Sequence, residues 1–282
     1  MSELDGRTCV ITGANTGIGR ATAEELVRRG ARVVLACRSE ERTRPVLDAL
    51  RAEVPDADVS FLALDLADLA SVRDAAAALQ DVGEPLHLLI DNAGVAGQRG
   101  VTAQGFELAF GINHLGHFLL TTELVDRLGA GAPARVVVVS SDSHYDAKAG
   151  IDLDDVQHPT RSVTGLPEYG VSKLANVLFA QELARRLPAE EVTTYSLHPG
   201  VIASDVWRRV PWPVRPIMKR FMRSTEEGAQ TSLWCATAPE LAGESGRYYA
   251  DCQPKEPSAA ATPEAAARLW ERSETWVAPF RP

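Results

Sequence analysis

The chain has 282 residues, 45% of them hydrophobic and 24% charged, with a mean hydropathy of −0.11. That is a globular profile with ample material for a core, and the length suits one large α/β domain. A net charge of −9 and a pI near 5.2 weigh against a nucleic-acid or anionic-membrane surface.

The N-terminus, "MSELDGRTCVITG", enters an apolar strand almost at once and lacks the basic and long apolar regions of a signal peptide. No stretch reaches the length of a membrane span, so a cytoplasmic protein without an integral membrane segment is expected. Cys9, Cys37, Cys235 and Cys252 stand far apart with no CxxC spacing. They read as reduced thiols, with neither a disulfide framework nor a metal site implied.

In chain order, "RTCVIT" (7–12), "RVVLAC" (32–37), "VSFLAL" (59–64), "LHLLI" (86–90), "RVVVVS" (135–140) and "VTTYSLH" (192–198) read as strands, with a seventh near "GRYYA" (246–250). Several are nearly continuous apolar runs, the pattern of parallel strands covered on both faces. Helical patterns lie between them, such as "IGRATAEELVRRG", which Gly30 closes. Repeated β–α–β units predict a doubly wound, mostly seven-stranded parallel sheet with helices on both faces, in one domain spanning 1–282. Residues 201–225 break the rhythm with three prolines among aromatics and arginines and read as a substrate lid. The alternative of a membrane-touching helix there is disfavoured by those prolines. A C-terminal extension, 251–282, ends in a helix around "PEAAARLWERSE".

"ITGANTGIGR" falls where the first strand meets the first helix. Gly13, Gly17 and Gly19 allow a tight turn and close backbone approach, and the helix N-terminus offers N–H groups to a pyrophosphate. Asn15, Thr16 and Ile18 belong to the same loop. The end of the second strand selects the cofactor. An NAD site usually carries an acid there, but this chain has Cys37, then Arg38 and Ser39. A guanidinium binds a 2′-phosphate that an acid would repel, so NADP(H) is expected.

"PEYGVSK" sets Tyr169 and Lys173 four residues apart, on one face of a helix. Together with "TGANTGIG", "DNAGV", "INHLGHF" and "VVVVSS", in this order, the chain resembles the short-chain dehydrogenase/reductase family over essentially its whole length. "GINHLGHFLLT", "SKLANVLFAQELARRL", "VTTYSLHPGV", "EEGAQTSLWCAT" and "YYADC" place it nearest the retinol dehydrogenase and WW-domain oxidoreductase branch. The resemblance implies a single-domain Rossmann fold and a catalytic tetrad of Asn113, Ser141, Tyr169 and Lys173. Tyr169 would exchange a proton with the substrate oxygen, and Lys173 would lower the phenol pKa and bind the nicotinamide ribose. Ser141, preferred over Ser140 by the family pattern, would hold the substrate oxygen, and Asn113 would anchor a proton-relaying water.

Further cofactor contacts are expected from Asp65 and Leu66 at the adenine, and from Asn92, Ala93 and Gly94 at the ribose. Pro199, Gly200, Val201, Ile202 and Ser204 are expected at the carboxamide. These positions follow predicted strands, where open α/β sheets bind ligands. Substrate is assigned to Ser141, His144 and the lid residues Trp207, Trp212, Met218 and Phe221. His114, His117 and His198 read as structural, and no third ligand completes a metal site. The interval from Ser141 to Tyr169 is roughly twice that of many relatives. Its extra chain is expected to shield a dimer-building helix face, favouring a monomer or dimer over a tetramer.

The expected function is an NADPH-dependent carbonyl reductase, reversible as an alcohol dehydrogenase, acting on a largely apolar substrate. Redox-neutral dehydration or cyclisation and a non-catalytic dinucleotide sensor are the alternatives.

Overall fold

Each β-branched run becomes a strand within two residues of its sequence limits. The computed structural model describes residues 3–200 and 224–281. In it β1 (Thr8–Thr12), β2 (Arg32–Cys37), β3 (Val59–Ala63), β4 (Leu88–Asp91), β5 (Ala134–Val139), β6 (Val192–His198) and β7 (Arg247–Ala250) pair in parallel. The sheet order is β3-β2-β1-β4-β5-β6-β7-β8. The last member, β8 (Gln253–Pro254), makes eight strands where seven were expected, and it pairs antiparallel with β7. Asp251 and Cys252, at φ 52° and 56°, make the reversal between them. Both β8 residues are exposed, so no apolar run announces this strand.

Helices cover both faces, as continuous apolar strands require. On one side α1 (Gly17–Arg28) and α2 (Glu40–Glu53) pack over Ile11, Leu35 and Ile90. On the other, α3 (Leu69–Val82) packs over Val10, Val34 and Leu89. α4 (Leu108–Phe110) passes through a π-helical turn, Gly111–Leu115, into α5 (Gly116–Glu123), which also covers this second face. α6 (Val125–Ala130) leads to β5, and α7 (Leu166–Arg186) joins α3 and α5 on the second face. Later in the chain, α8 (Thr225–Thr237) adds to the first face and α9 (Pro263–Val277) to the second.

Local sequence sets the helix limits. Ser39 and Asp68 cap α2 and α3 by accepting the backbone N–H groups of Arg42 and Ala70, and Gly30 follows α1 at φ 89°. The expected lid falls almost wholly in 201–223, outside the described residues. Its last two residues belong instead to the start of α8, where Ser224 and Glu227 form a reciprocal capping box. Among the described residues no helix is long and apolar enough to cross a membrane.

Strand order reverses between β1 and β4, which opens a crevice at their carboxyl ends. The glycine loop after β1 and the segment after β4 face each other across it.

Candidate active site

A cleft of about 640 Å³ occupies that crevice. Gly13, Asn15, Thr16, Gly17, Ile18 and Gly19 line it together with Arg38 and Ser39 after β2, Asp65 and Leu66 after β3, and Asn92, Ala93 and Gly94 after β4. The loop needs glycine for steric reasons. Gly13 has φ 65°, and a Cβ there would lie 2.9 Å from the Ala93 side chain. A Cβ on Gly19 would lie 2.3 Å from Asn92 Nδ2, which donates to the Thr12 carbonyl at 2.8 Å. The donor set suits a dinucleotide: backbone N–H groups at the start of α1 for a pyrophosphate, and cations beside the second strand.

Arg42, which sequence reasoning missed, joins Arg38 in lining the cleft. It stands one turn into α2, beyond the residues a strand-end motif covers. Both arginines are exposed, and among the described residues neither guanidinium has an acidic partner. Cys37, at the position of an NAD-site acid, is buried, and burial pushes its thiol pKa up. Val95, Ala96, Gln98, Leu108 and Ile112 also line the cleft without having been expected. They continue the β4 loop and the approach to the π-turn, where no residue type marks a ligand contact.

Asn113 and Lys173 lie just behind Gly94, where a Cβ would sit 3.2 Å from Asn113 Oδ1 and 3.5 Å from Lys173 Nζ. Tyr169 and Lys173 project from one face of α7, with Lys173 Nζ 5.7 Å from the centre of the phenol ring. Lys173 Nζ donates to the Val139 carbonyl at 2.8 Å. Asn113, at the centre of the π-turn, accepts from Val95 N at 2.8 Å and donates Nδ2 to the Val95 carbonyl and to Ser172 Oγ. Ser172 in turn donates to the Tyr169 carbonyl at 2.8 Å. Of the two serines after β5, Ser140 donates to the Lys173 carbonyl at 2.7 Å, whereas Ser141 Oγ accepts from Ser143 N at 3.2 Å and its hydroxyl acts on the Tyr169 phenol.

The electrostatics differ from the sequence expectation in one respect. Lys173 was expected to lower the phenol pKa, but burial raises it, opposed by the Ser141 hydrogen bond. Burial also brings the Lys173 pKa down, from 10.5 to about 7, and its amine is turned toward the Val139 carbonyl.

The short chain dehydrogenase family model matches residues 7–151, just over half of the chain. Dehydrogenase/reductase SDR family member 13 of Bos taurus is 47% identical over 97% of this chain and 74% of its own. The chain belongs to the short-chain dehydrogenase/reductase family. Retinol dehydrogenase 12 of Mus musculus is 44% identical over 96% of this short-chain dehydrogenase/reductase and 86% of its own length. A solved structure of an uncharacterised Mycobacterium paratuberculosis protein superposes with a TM-score of 0.76 at 33% identity, covering 99% of this chain and 96% of the other. General nicotinamide-dependent oxidoreduction follows from membership.

The remaining expected positions of this short-chain dehydrogenase/reductase divide three ways. Pro199 and Gly200 follow β6 and do not line the described cleft. Val201, Ile202, Ser204, Trp207, Trp212, Met218 and Phe221 lie outside the described residues. His144 does not reach the cleft as expected. Its ring is fully buried, with Nδ1 2.7 Å from the Ser141 carbonyl and Nε2 accepting from Ser258 N at 3.0 Å, so it backs Ser141 from inside. His114 faces Ser273 on α9 while His117 faces Thr12 on β1, so the two rings serve different neighbours. His198 turns Nδ1 to the Asp142 N–H.

Proposed function

We propose that the chain is an NADPH-dependent reductase of largely apolar aldehydes or ketones, reversible as an alcohol dehydrogenase. The observation that carries this reading is the grouping of Asn113 and Lys173 immediately behind Gly94 on the wall of the dinucleotide cleft, with the Tyr169 ring beside Lys173 and Ser141 acting on its phenol. Bound there, the reduced cofactor supplies a hydride to the carbonyl carbon. The chain's residues handle the oxygen: the Ser141 hydroxyl holds it by a hydrogen bond, and Tyr169 gives its phenolic proton, leaving an alcohol and a phenolate. A raised phenol pKa keeps Tyr169 protonated at neutral pH, the state a proton donor needs. Lys173, held over the ring by the Val139 carbonyl, faces the phenolate as it forms.

Preference for NADPH is supported by Arg38 and Arg42, two guanidiniums at the end of β2 where an acid would repel a 2′-phosphate. An apolar substrate is supported by the likeness to retinol dehydrogenase 12 and by the aromatic lid residues of the sequence. The test is a panel of aromatic, polyketide-like and terpenoid carbonyls with NADPH. Wild-type protein should oxidise NADPH with at least one of them. Tyr169→Phe should lose about a hundredfold or more of that rate, the range of general acid catalysis. A Tyr169→Phe variant as fast as wild type would end the reading.

A further inference from the structure

His117 was expected to be structural, by packing or capping, and its burial agrees. Its partners define that role more closely. Nε2 lies 2.9 Å from Thr12 Oγ1 and Nδ1 lies 3.0 Å from the backbone carbonyl of Asn113. Thr12 Oγ1 already accepts from the backbone N–H groups of Asn92 and Ala93, both at 2.9 Å. Its own proton therefore needs an acceptor, and His117 Nε2 is closer than the Ile90 carbonyl at 3.4 Å. That leaves the imidazole proton on Nδ1, donating to Asn113. Burial pushes the ring pKa down to about 4, so it stays neutral, and the charge on nearby Lys173 adds to the effect.

We propose that His117 is a positioning residue that ties the strand carrying the glycine loop to the backbone of Asn113, so that the dinucleotide cleft and the Tyr169–Lys173 pair keep one geometry. On one side of the ring, Thr12 pins Asn92 and Ala93, the wall against which Gly13 and Gly19 pack. On the other, Asn113 grips Val95 and reaches Tyr169 through Ser172. The bridge needs a rigid group with an acceptor at one end and a donor at the other, and neutral imidazole is that group. His114, one turn earlier, gives the contrast: its Nε2 meets Ser273, but buried Nδ1 has no hydrogen-bond partner among the described residues. The π-turn makes the bridge possible, since Asn113 and His117 fall where it passes into α5.

This inference rests on the proposed reading of the cleft and of Tyr169, and its test separates the two. In wild-type protein carrying ring-15N histidine, NMR should find His117 neutral with its proton on Nδ1 and not titrating between about pH 5.5 and 8.5. A proton on Nε2, or a titration in that range, would overturn the bridge whether or not any carbonyl is turned over. Further measurements use NADPH fluorescence for affinity and decanal as the probe carbonyl. His117→Phe should lose about tenfold in NADPH affinity and about tenfold in kcat, the scale of one buried hydrogen bond at each end. His117→Gln, which keeps an acceptor toward Thr12, should recover NADPH affinity more than kcat. His117→Asn, which keeps a donor toward Asn113, should recover kcat more than affinity. Thr12→Val should cost less NADPH affinity in the His117→Phe background than in wild type, because there only the hydrogen bonds from Asn92 and Ala93 remain to be lost. Equal costs in both backgrounds would contradict the bridge. Parallel losses in all variants, tracking only a fall in Tm, would reduce His117 to packing and end the proposal.

Discussion

Asp91 closes β4 with its carboxylate fully inside the protein. Oδ2 accepts from Thr121 Oγ1 at 2.8 Å, and Oδ1 has no hydrogen-bond partner among the described residues. Burial raises its pKa from 3.8 to about 7. Between those values the folded chain holds a proton that the unfolded chain has lost, so Asp91 makes stability fall as pH rises through that window. Above it the fold carries a buried charge with one hydrogen bond. Asp91→Asn should therefore raise Tm by several degrees at pH 8 and by much less at pH 5, read by thermal melts. An equal shift at both pH values would contradict this account. In the cleft, Arg38→Asp should weaken NADPH binding by about tenfold to a hundredfold, the scale of a charge-assisted hydrogen bond. NADH affinity should change by less than about threefold, and equal losses in both would mean the 2′-phosphate is held elsewhere.

Among the elements, α7 shows how packing completes a pattern that the sequence carries in part. Its buried stretch from Ser172 to Ala180 lies against α9, where Trp270 stacks on Phe179 at 6.0 Å and meets Phe118 edge-on at 4.9 Å. The 3₁₀ turn Asp142–Asp146 covers its N-terminal end so closely that a Cβ on Gly170 would lie 2.9 Å from the Ser143 carbonyl. The turn after Ser141 and the C-terminal helix thus both pack on α7. A monomer or dimer is the predicted outcome of light scattering after size exclusion, and a tight tetramer would contradict it.

The strands were legible because apolar runs bounded by turn residues have few other uses, and the nearness of Asn113, Tyr169 and Lys173 because the resemblance to the family names those positions together. β8 was not, since two exposed residues after a left-handed turn carry no periodicity. Nor was the π-turn, whose residues would read equally well as continuous α-helix. The surroundings of His144 were not legible for a third reason: its partner Ser258 lies 114 residues away, and only the fold brings the two together. The same holds for His117 and Thr12, 105 residues apart.

At the scale of the whole molecule, the sheet order places the glycine loop and the β4 segment around one crevice between β1 and β4, and Gly94 of that segment backs onto Asn113 and Lys173. A hydrophobic core on either face of the sheet supports the arrangement. The central claim is that this arrangement moves a hydride and a proton to the same carbonyl. It is tested most directly with NADPH deuterated at the transferable C4 position, an apolar aldehyde such as decanal, and mass spectrometry of the product. The account predicts an alcohol that gains one deuterium in wild type, and no such product above background in Tyr169→Phe. A product formed without the label would contradict it, because the chemistry would then be redox-neutral.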